Sequence, residues 1–381
     1  MFLMMGWCHR YTIFDGLLCG CGGLALIRMP SIVGLIISNR LEMRATASSR
    51  SELAIPFITY SEKTGFQLNP EAEQFLREIP EQKHVGAISI VGKSRTGKSF
   101  FVNRVLLNCR KAGFQVGPSI NPCTKGLWIW KKTIPSSTDE RLETILIDTE
   151  GFGGMDENAN HDSRIFLFSL LLTSSFIYNS IGNIDENAIN TLNLIINLAK
   201  NIESKSGREE DAAQFPSFLW VVRDFTLKLV DTTGRELTSK QYLENALEEQ
   251  KGNSESVENK NKIRRLFKRY FQERDCITMV RPVEDEKDLQ RLDELENSSL
   301  RREFTVQVDA ARNKIFGGVK AKCINGRKMN GSMFVELIKG YISIINQGAL
   351  PTVESAWVYV CRGEGLKAVQ EAARSTERKI A

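Results

Sequence analysis

Histidine is scarce in this 381-residue chain: His9, His84 and His161 are the only three, far apart and at no metal-ligand spacing. A histidine-rich zinc site or a Ser-His-Asp hydrolase therefore has little raw material. The eight cysteines are scattered from Cys8 to Cys361 without a CxxC pair, and only Cys19 and Cys21 lie close together. That distribution predicts reduced, intracellular thiols rather than a disulfide framework. Glycine and proline, at 28 and 10 residues, are too few for a collagen-like or linker chain. The net charge is only +5, so no strong field toward nucleic acid or anionic lipid is implied, and no nucleic-acid partner is expected. Long apolar runs are missing too. Residues 16–27 are apolar but stop at Arg28, with Pro30 just beyond, and residues 165–178 are also too short to cross a bilayer.

Hydrophobic residues at 42% and charged residues at 25% are those of a globular chain, long enough for about two domains at roughly 150 residues each. Three readings stay open for the first forty residues: a start not native to the protein, a weak membrane or targeting segment, and a packed helix. Residues 45–52, rich in Ser and Arg, read as a linker closing an N-terminal extension over 1–52. Residues 85–91 then predict a buried strand, 92–99 a Gly-punctuated loop, and 100–109 a helix with Val102, Val105 and Leu106 on one side. Residues 127–130 and 142–147 predict a hairpin across a basic, Pro/Ser-containing turn. Residues 165–178 predict a helix end running into a buried strand. Asp185 is the cap of a helix carrying Ala188, Leu192, Ile195, Ala199 and Ile202 at a 3.6 period, and residues 203–214 read as a polar loop. Strands follow at 218–222, ending in Arg223 and Asp224, and at 276–280. Arg264, Arg265, Lys268 and Arg269 read as a solvated basic face. Beyond Phe316, Met333, Leu337, Tyr341 and Ile344 make a helical stripe, and a further helix begins near Val353. The expected fold is α/β, a Ras-like P-loop domain over 53–318 with a mostly parallel sheet covered by helices on both faces. A truncated all-α extension over 319–381 follows it.

Residues 92–99 read Gly92, Lys93, Ser94, Arg95, Thr96, Gly97, Lys98, Ser99 and satisfy G-x-x-x-x-G-K-[ST] in full. Such a loop turns backbone N–H groups toward phosphates, with Lys98 reaching the β and γ phosphates and the Ser99 hydroxyl able to ligate Mg²⁺. Thr124, in a Pro-Cys-Thr-Lys-Gly loop, is a candidate second Mg²⁺ hydroxyl. Asp148 follows an apolar strand, where it can hold Mg²⁺ through water, and the Gly151 N–H can meet the γ phosphate. The base reader decides between nucleotides. A carboxylate accepts from both N1–H and the exocyclic amine of guanine, and adenine offers no matching donor pair. No N/T-K-x-D tetrapeptide occurs; the strand-terminal Arg223-Asp224 occurs instead.

Arg95 within the P-loop, the run from Cys123 to Trp130 (Cys-Thr-Lys-Gly-Leu-Trp-Ile-Trp), Asp148-Thr-Glu-Gly151, Tyr178-Asn-Ser-Ile-Gly182 and Arg223-Asp224 together resemble the guanylate-binding protein and atlastin group of dynamin-like large GTPases. The resemblance runs from about Ile55 to about Ala373. Its later part, from Asn346 to Trp357, looks like the helical junction of guanylate-binding proteins, and no paired hydrophobic hairpin of the atlastin type follows. It implies that Lys98 and Ser99 hold phosphate and Mg²⁺, that Thr124 completes the metal shell, and that Asp148 and Glu150 line the γ-phosphate side. Asp224 would read guanine with Arg223 supporting it. Arg95 would act as an arginine finger in cis when two GTPase domains meet in a GTP-dependent homodimer. The implied protein is a cytoplasmic, Mg²⁺-dependent GTPase, at most peripheral to an internal membrane. Pro122 stands where many animal members carry a hydroxyl residue, which keeps open a rival reading: an assembly module that binds GTP and hydrolyses it poorly. A P-loop ATPase or kinase conflicts with Asp224.

Overall fold

The computed structural model describes residues 53–109, 113–116, 126–152, 159–206, 215–351 and 353–380. The N-terminal extension, the linker, Pro122, Cys123, Thr124 and Lys125 lie outside them.

The chain first builds two strands that the sequence reading did not anticipate, β1 (Ala54–Ser61) and β2 (Gly65–Leu68), an antiparallel pair joined by a short turn. Asn69 then caps α1 (Pro70–Arg77), its side chain accepting from the Glu71 and Ala72 N–H groups, with Pro70 at the first helical position. β3 (His84–Val91) leads through the P-loop into α2 (Lys98–Phe101), which passes into a wider π turn over Val102–Leu106. The expected helix to residue 109 is thus cut short. The turn seats Asn103 so that its amide exchanges two 2.9 Å hydrogen bonds with the backbone of Phe114.

β4 (Leu127–Trp130), β5 (Ile134–Pro135) and β6 (Leu142–Thr149) follow. β4 and β6 are antiparallel neighbours as expected, and the connecting segment adds β5 on β6. α3 (Ala159–Leu172) runs into β7 (Ser175–Ile181), and α4 (Glu186–Ser206) starts where Asp185 accepts from the Ala188 N–H at 2.7 Å. β8 (Ser217–Arg223), α5 (Ser239–Ala246), α6 (Glu255–Tyr270) and β9 (Arg274–Thr278) complete the large sheet. β9 begins and ends two residues before the expected strand. Its order is β2-β1-β4-β6-β3-β7-β8-β9; the β6-β3-β7-β8-β9 part is parallel, and the β2-β1-β4 edge is antiparallel.

Both faces of the sheet are covered. On β3, Val85, Ala87 and Val91 join one apolar cluster, and Ile88 and Ile90 join the other. β4 divides likewise: Leu127 and Ile129 face one core and Trp130 the other, so both of its faces pack. α7 (Glu286–Leu289), a 3₁₀ turn over Asn297–Ser299 and α8 (Arg302–Gly317) come next. A small hairpin of β10 (Cys323–Ile324) and β11 (Arg327–Lys328) then leads into α9 (Gly331–Asn346) and α10 (Val353–Ile380). α9 buries Met333, Leu337, Tyr341 and Ile345; the expected Ile344 is only half-buried. One reading is corrected: Arg264 of α6 belongs to no solvated basic face but is buried and ion-paired with Glu186. No helix among the described residues is long and apolar enough to cross a membrane.

Candidate functional site

The P-loop closes over the C-terminal end of β3 because its backbone visits conformations that only small or specially held residues tolerate. Gly92 has φ +156°, and a Cβ there would lie 2.2 Å from the Asn179 carbonyl, so no side chain fits. Arg95 (φ 65°) and Gly97 (φ 76°) are left-handed as well. Asn179, in the C-terminal half of β7, pins the loop: its amide donates to the Thr96 carbonyl and to Thr96 Oγ1, both at 2.9 Å. The Lys93 and Ser94 end is stitched to Phe152, with Ser94 N donating to the Phe152 carbonyl at 2.9 Å and Phe152 N to the Gly92 carbonyl at 3.3 Å. Lys98 is 6% exposed and donates to the Lys93 carbonyl at 3.1 Å. Its ammonium is thereby held inside the loop. A Cβ on Gly151 would come within 2.6 Å of Lys98 Nζ and 2.4 Å of Ser94 Cα, which is why the strand-to-loop turn needs glycine there.

Beneath the loop, Ser99 Oγ donates to Asp148 Oδ2 at 2.5 Å, and Asp148 is fully buried between β3 and β4. A hydroxyl and a carboxylate are hard oxygen donors, the set that Mg²⁺ takes while keeping waters and phosphate oxygens in its remaining positions. The residues present therefore fit that ion. Thr124, the expected second hydroxyl, lies outside the described residues. Glu150 takes an unexpected direction. Its carboxylate accepts from the Gly126 N–H at 2.6 Å and lies 3.4 Å from His161 Nε2, so at this point Thr149 and Gly151 form the cleft wall. His161 in turn stacks on Phe66, at 5.9 Å between ring centroids. Sequence reasoning passed over His161 because a lone histidine carries no pattern.

At the far end of the same cleft, β8 terminates in Arg223 and Asp224. Arg223 is 4% exposed, and its guanidinium sits 5.5 Å over the Phe100 ring, 5.8 Å from that of Phe101 and 6.0 Å from that of Phe304. Burial lowers its pKa and the Asp224 carboxylate opposes that shift. Two of its nitrogens, Nε and Nη1, have no hydrogen-bond partner among the described residues. A desolvated guanidinium on aromatic faces is held by cation–π attraction, and it presents fixed positive charge beside Asp224. Asp224 itself is left-handed at φ 53°, a conformation that Asp adopts more readily than most residues. The cleft that joins these groups has a volume of about 270 Å³ and is lined by P-loop residues 94–100, Arg223, Asp224 and part of the segment between β9 and α8. Of the expected site residues, Arg95, Thr96, Gly97, Lys98, Ser99, Gly151, Arg223 and Asp224 line it; Gly92 and Asp148 support it from behind.

A phosphate-binding loop, an acidic strand end behind its serine and an Arg-Asp strand end across one cleft agree with what the chain resembles. The family model for the guanylate-binding protein N-terminal domain matches residues 63–323, and that for the C-terminal domain matches 325–381. The chain belongs to the guanylate-binding protein family. Human guanylate-binding protein 1 is 36% identical over 324 residues, covering 82% of this chain and 53% of that protein. Human guanylate-binding protein 4 is 35% identical over 324 residues, 82% of this chain and 50% of its own length. Mouse guanylate-binding protein 3 is 33% identical over 329 residues, 84% and 52% respectively. The chain thus spans about half the length of the curated relatives it matches. The N-terminal match runs from β2 through β9 and α8, and the C-terminal match holds α9 and α10.

Proposed function

We propose that the protein is a GTPase that binds guanine nucleotides in this cleft, hydrolyses GTP to GDP and phosphate with Mg²⁺ as cofactor, and does so fastest when two nucleotide-binding domains pair face to face. The observation that carries the reading is the coincidence in one cleft of the P-loop lysine Lys98 with the strand-terminal carboxylate Asp224. Membership of a family named for guanylate binding supports it.

In this reading Lys98 holds the β and γ phosphates as a point charge, and the N–H groups of the P-loop turn to the phosphate oxygens. Ser99 and Asp148 hold the Mg²⁺ side, with Thr124 joining them by resemblance. The ion, when bound, neutralises charge on the β and γ oxygens. Gly151, held tightly against Ser94, presents its N–H to the γ-phosphate side. Water attacks the γ phosphorus, the bond to the β–γ bridging oxygen breaks, and that oxygen leaves on GDP. Asp224 accepts from N1–H and the exocyclic amine of guanine, a pairing that adenine cannot make. Arg223, held on the rings of Phe100, Phe101 and Phe304, places a positive charge next to that carboxylate in sequence.

A titration of GTP against ATP, with and without Mg²⁺, tests the binding half. GTP should bind at least tenfold tighter than ATP, and equal affinity would overturn the reading. Single-turnover hydrolysis tests the chemical half: tight GTP binding without turnover is the outcome that favours a nucleotide-gated assembly module instead.

A further inference from the structure

Arg104 lies in the π turn that follows the P-loop helix and is 6% exposed. Nη2 donates to the Leu292 carbonyl at 2.8 Å and to the Leu295 carbonyl, and Nη1 donates to Asn297 Oδ1 at 3.0 Å. All three acceptors belong to the segment between β9 and α8, whose only regular structure is the four-residue α7 and a 3₁₀ turn. The same segment brings Pro282, Leu289, Gln290, Leu292 and Asp293 to the cleft. It enters beside Asp224, because β8 and β9 pair at Val222 and Thr278, and it leaves into α8, whose Phe304 stands over Arg223. From α8, Arg312 donates back to the Val105 carbonyl at 2.6 Å and to the Arg104 carbonyl at 3.2 Å. The segment is therefore fixed at its middle, and the helix it leads into is fixed as well, to the turn of chain that follows the P-loop helix.

A covering segment with little structure of its own stays ordered only if its buried carbonyls are paired, and a charged donor with several N–H groups in one plane pairs more of them than any other side chain. Where such a segment covers the Asp224 end, it excludes water that competes for the carboxylate's hydrogen bonds. We propose that Arg104 is a positioning residue for nucleotide retention: it ties the 281–301 segment closed over the base end of the cleft and so sets the dissociation rate of a bound guanine nucleotide. The proposal rests on the guanine-nucleotide reading of the cleft and adds to it a residue that touches no part of the nucleotide.

The test is stopped-flow displacement of mant-GDP from the full chain, for the wild type, Arg104→Ala, Arg104→Lys, Asn297→Ala and the Arg104→Ala/Asn297→Ala double variant, beside thermal unfolding without nucleotide. Loss of a charged donor with several acceptors should raise the dissociation rate about tenfold in Arg104→Ala, and less in Asn297→Ala, which removes one acceptor. Arg104→Lys should fall between wild type and Arg104→Ala. The double variant should dissociate no faster than Arg104→Ala alone, and association should stay within about twofold of wild type throughout. Should Arg104→Ala fail to fold, the surface substitution Asn297→Ala decides: a wild-type dissociation rate there overturns the proposal. So does an Arg104→Ala protein that melts lower yet releases mant-GDP at the wild-type rate. A wild type that takes up no mant-GDP overturns the nucleotide reading and the proposal together, whereas binding with unchanged variant rates overturns the proposal alone.

Discussion

At the scale of single residues, the cleft is lined by Lys98 of the P-loop and by Asp224 beside Arg223 at the end of β8. Lys98 is enclosed by its own loop, and its donation to the Lys93 carbonyl keeps the ammonium where phosphate oxygens are expected. Lys98→Ala removes a point charge from a site that excludes water, a loss of about 2–4 kcal/mol, so GTP affinity measured by titration should fall roughly a hundredfold. An affinity unchanged by that substitution contradicts the phosphate assignment. Asp224 is testable by exchange of partners. In the proposed reading its carboxylate accepts two hydrogen bonds from guanine, whereas an asparagine offers one acceptor and one donor, the complement of xanthine. Asp224→Asn should weaken GTP binding by about tenfold to a hundredfold and strengthen xanthosine triphosphate binding, read in paired titrations. Parallel losses for both nucleotides would mean that Asp224 shapes the cleft and does not read the base. Both residues were legible in the sequence, one through an eight-residue pattern and the other through its place at the end of an apolar strand. Arg104 and His161 were not, because their partners lie 188–193 and 11 positions away and no spacing rule connects them.

At the scale of elements, the strands that carry the site could be read because buried parallel strands are short runs of apolar residues ending in polar ones, as 85–91 and 218–222 are. What escaped was structure whose pattern is interrupted. Pro56 sits where β1 shifts register against β4, and a proline within a run hides a strand that a bulge tolerates. The helix after the P-loop was overextended because periodicity cannot show that Asn103 and Arg104 have hydrogen-bond partners elsewhere in the chain. The end of α3 offers a further prediction. Lys322, 5% exposed, donates from Nζ to the Thr173 carbonyl at 3.0 Å, and burial pushes its pKa down to about 8 while Cys323 acts weakly in the other direction. A lysine whose pKa is lower folded than unfolded binds fewer protons in the native state between about pH 8 and its ordinary value of 10.5. Its charging therefore costs stability below pH 8, and the cost is relieved as pH rises toward 10.5. The difference in unfolding free energy between wild type and Lys322→Met should shift in favour of wild type across that window, by on the order of 3 kcal/mol at most. Denaturant titrations at pH 7.5 and 10 would show it, and a pH-independent difference would leave Lys322 with an ordinary pKa.

At the scale of the whole molecule, α9 is bound to the edge of the sheet as though it were part of the nucleotide-binding domain. The Asn346 side-chain amide both donates to and accepts from the backbone of Phe66, each at 2.9 Å. Glu336 pairs with Arg77 at 2.5 Å, and Lys339 with Glu73 at 2.7 Å. Phe66 stacks on His161, and His161 meets the Glu150 carboxylate, so contacts run from the helical junction to the residue between Thr149 and Gly151 of the cleft wall. On the opposite side, Arg95 stands exposed on the rim of the cleft in a left-handed conformation, three residues before Lys98. An arginine finger contributes roughly 10³ to 10⁵ in rate when it meets a developing charge in a water-poor site, and a solvated cation contributes far less. The exposed rim of one molecule becomes water-poor when a second molecule covers it. Turnover per molecule should then rise with protein concentration, and Arg95→Ala should flatten the rise while leaving GTP affinity within about threefold, since the substitution spares Lys98 and Asp224. Initial rates measured beside light scattering, with GDP, a non-hydrolysable GTP analogue and a transition-state mimic, separate the two halves. Pairing with the mimic but not with GDP, together with a concentration-dependent rate lost in Arg95→Ala, is the expected result. A protein that stays monomeric in every nucleotide state and turns over at a rate independent of its concentration has its finger supplied by another partner or uses none.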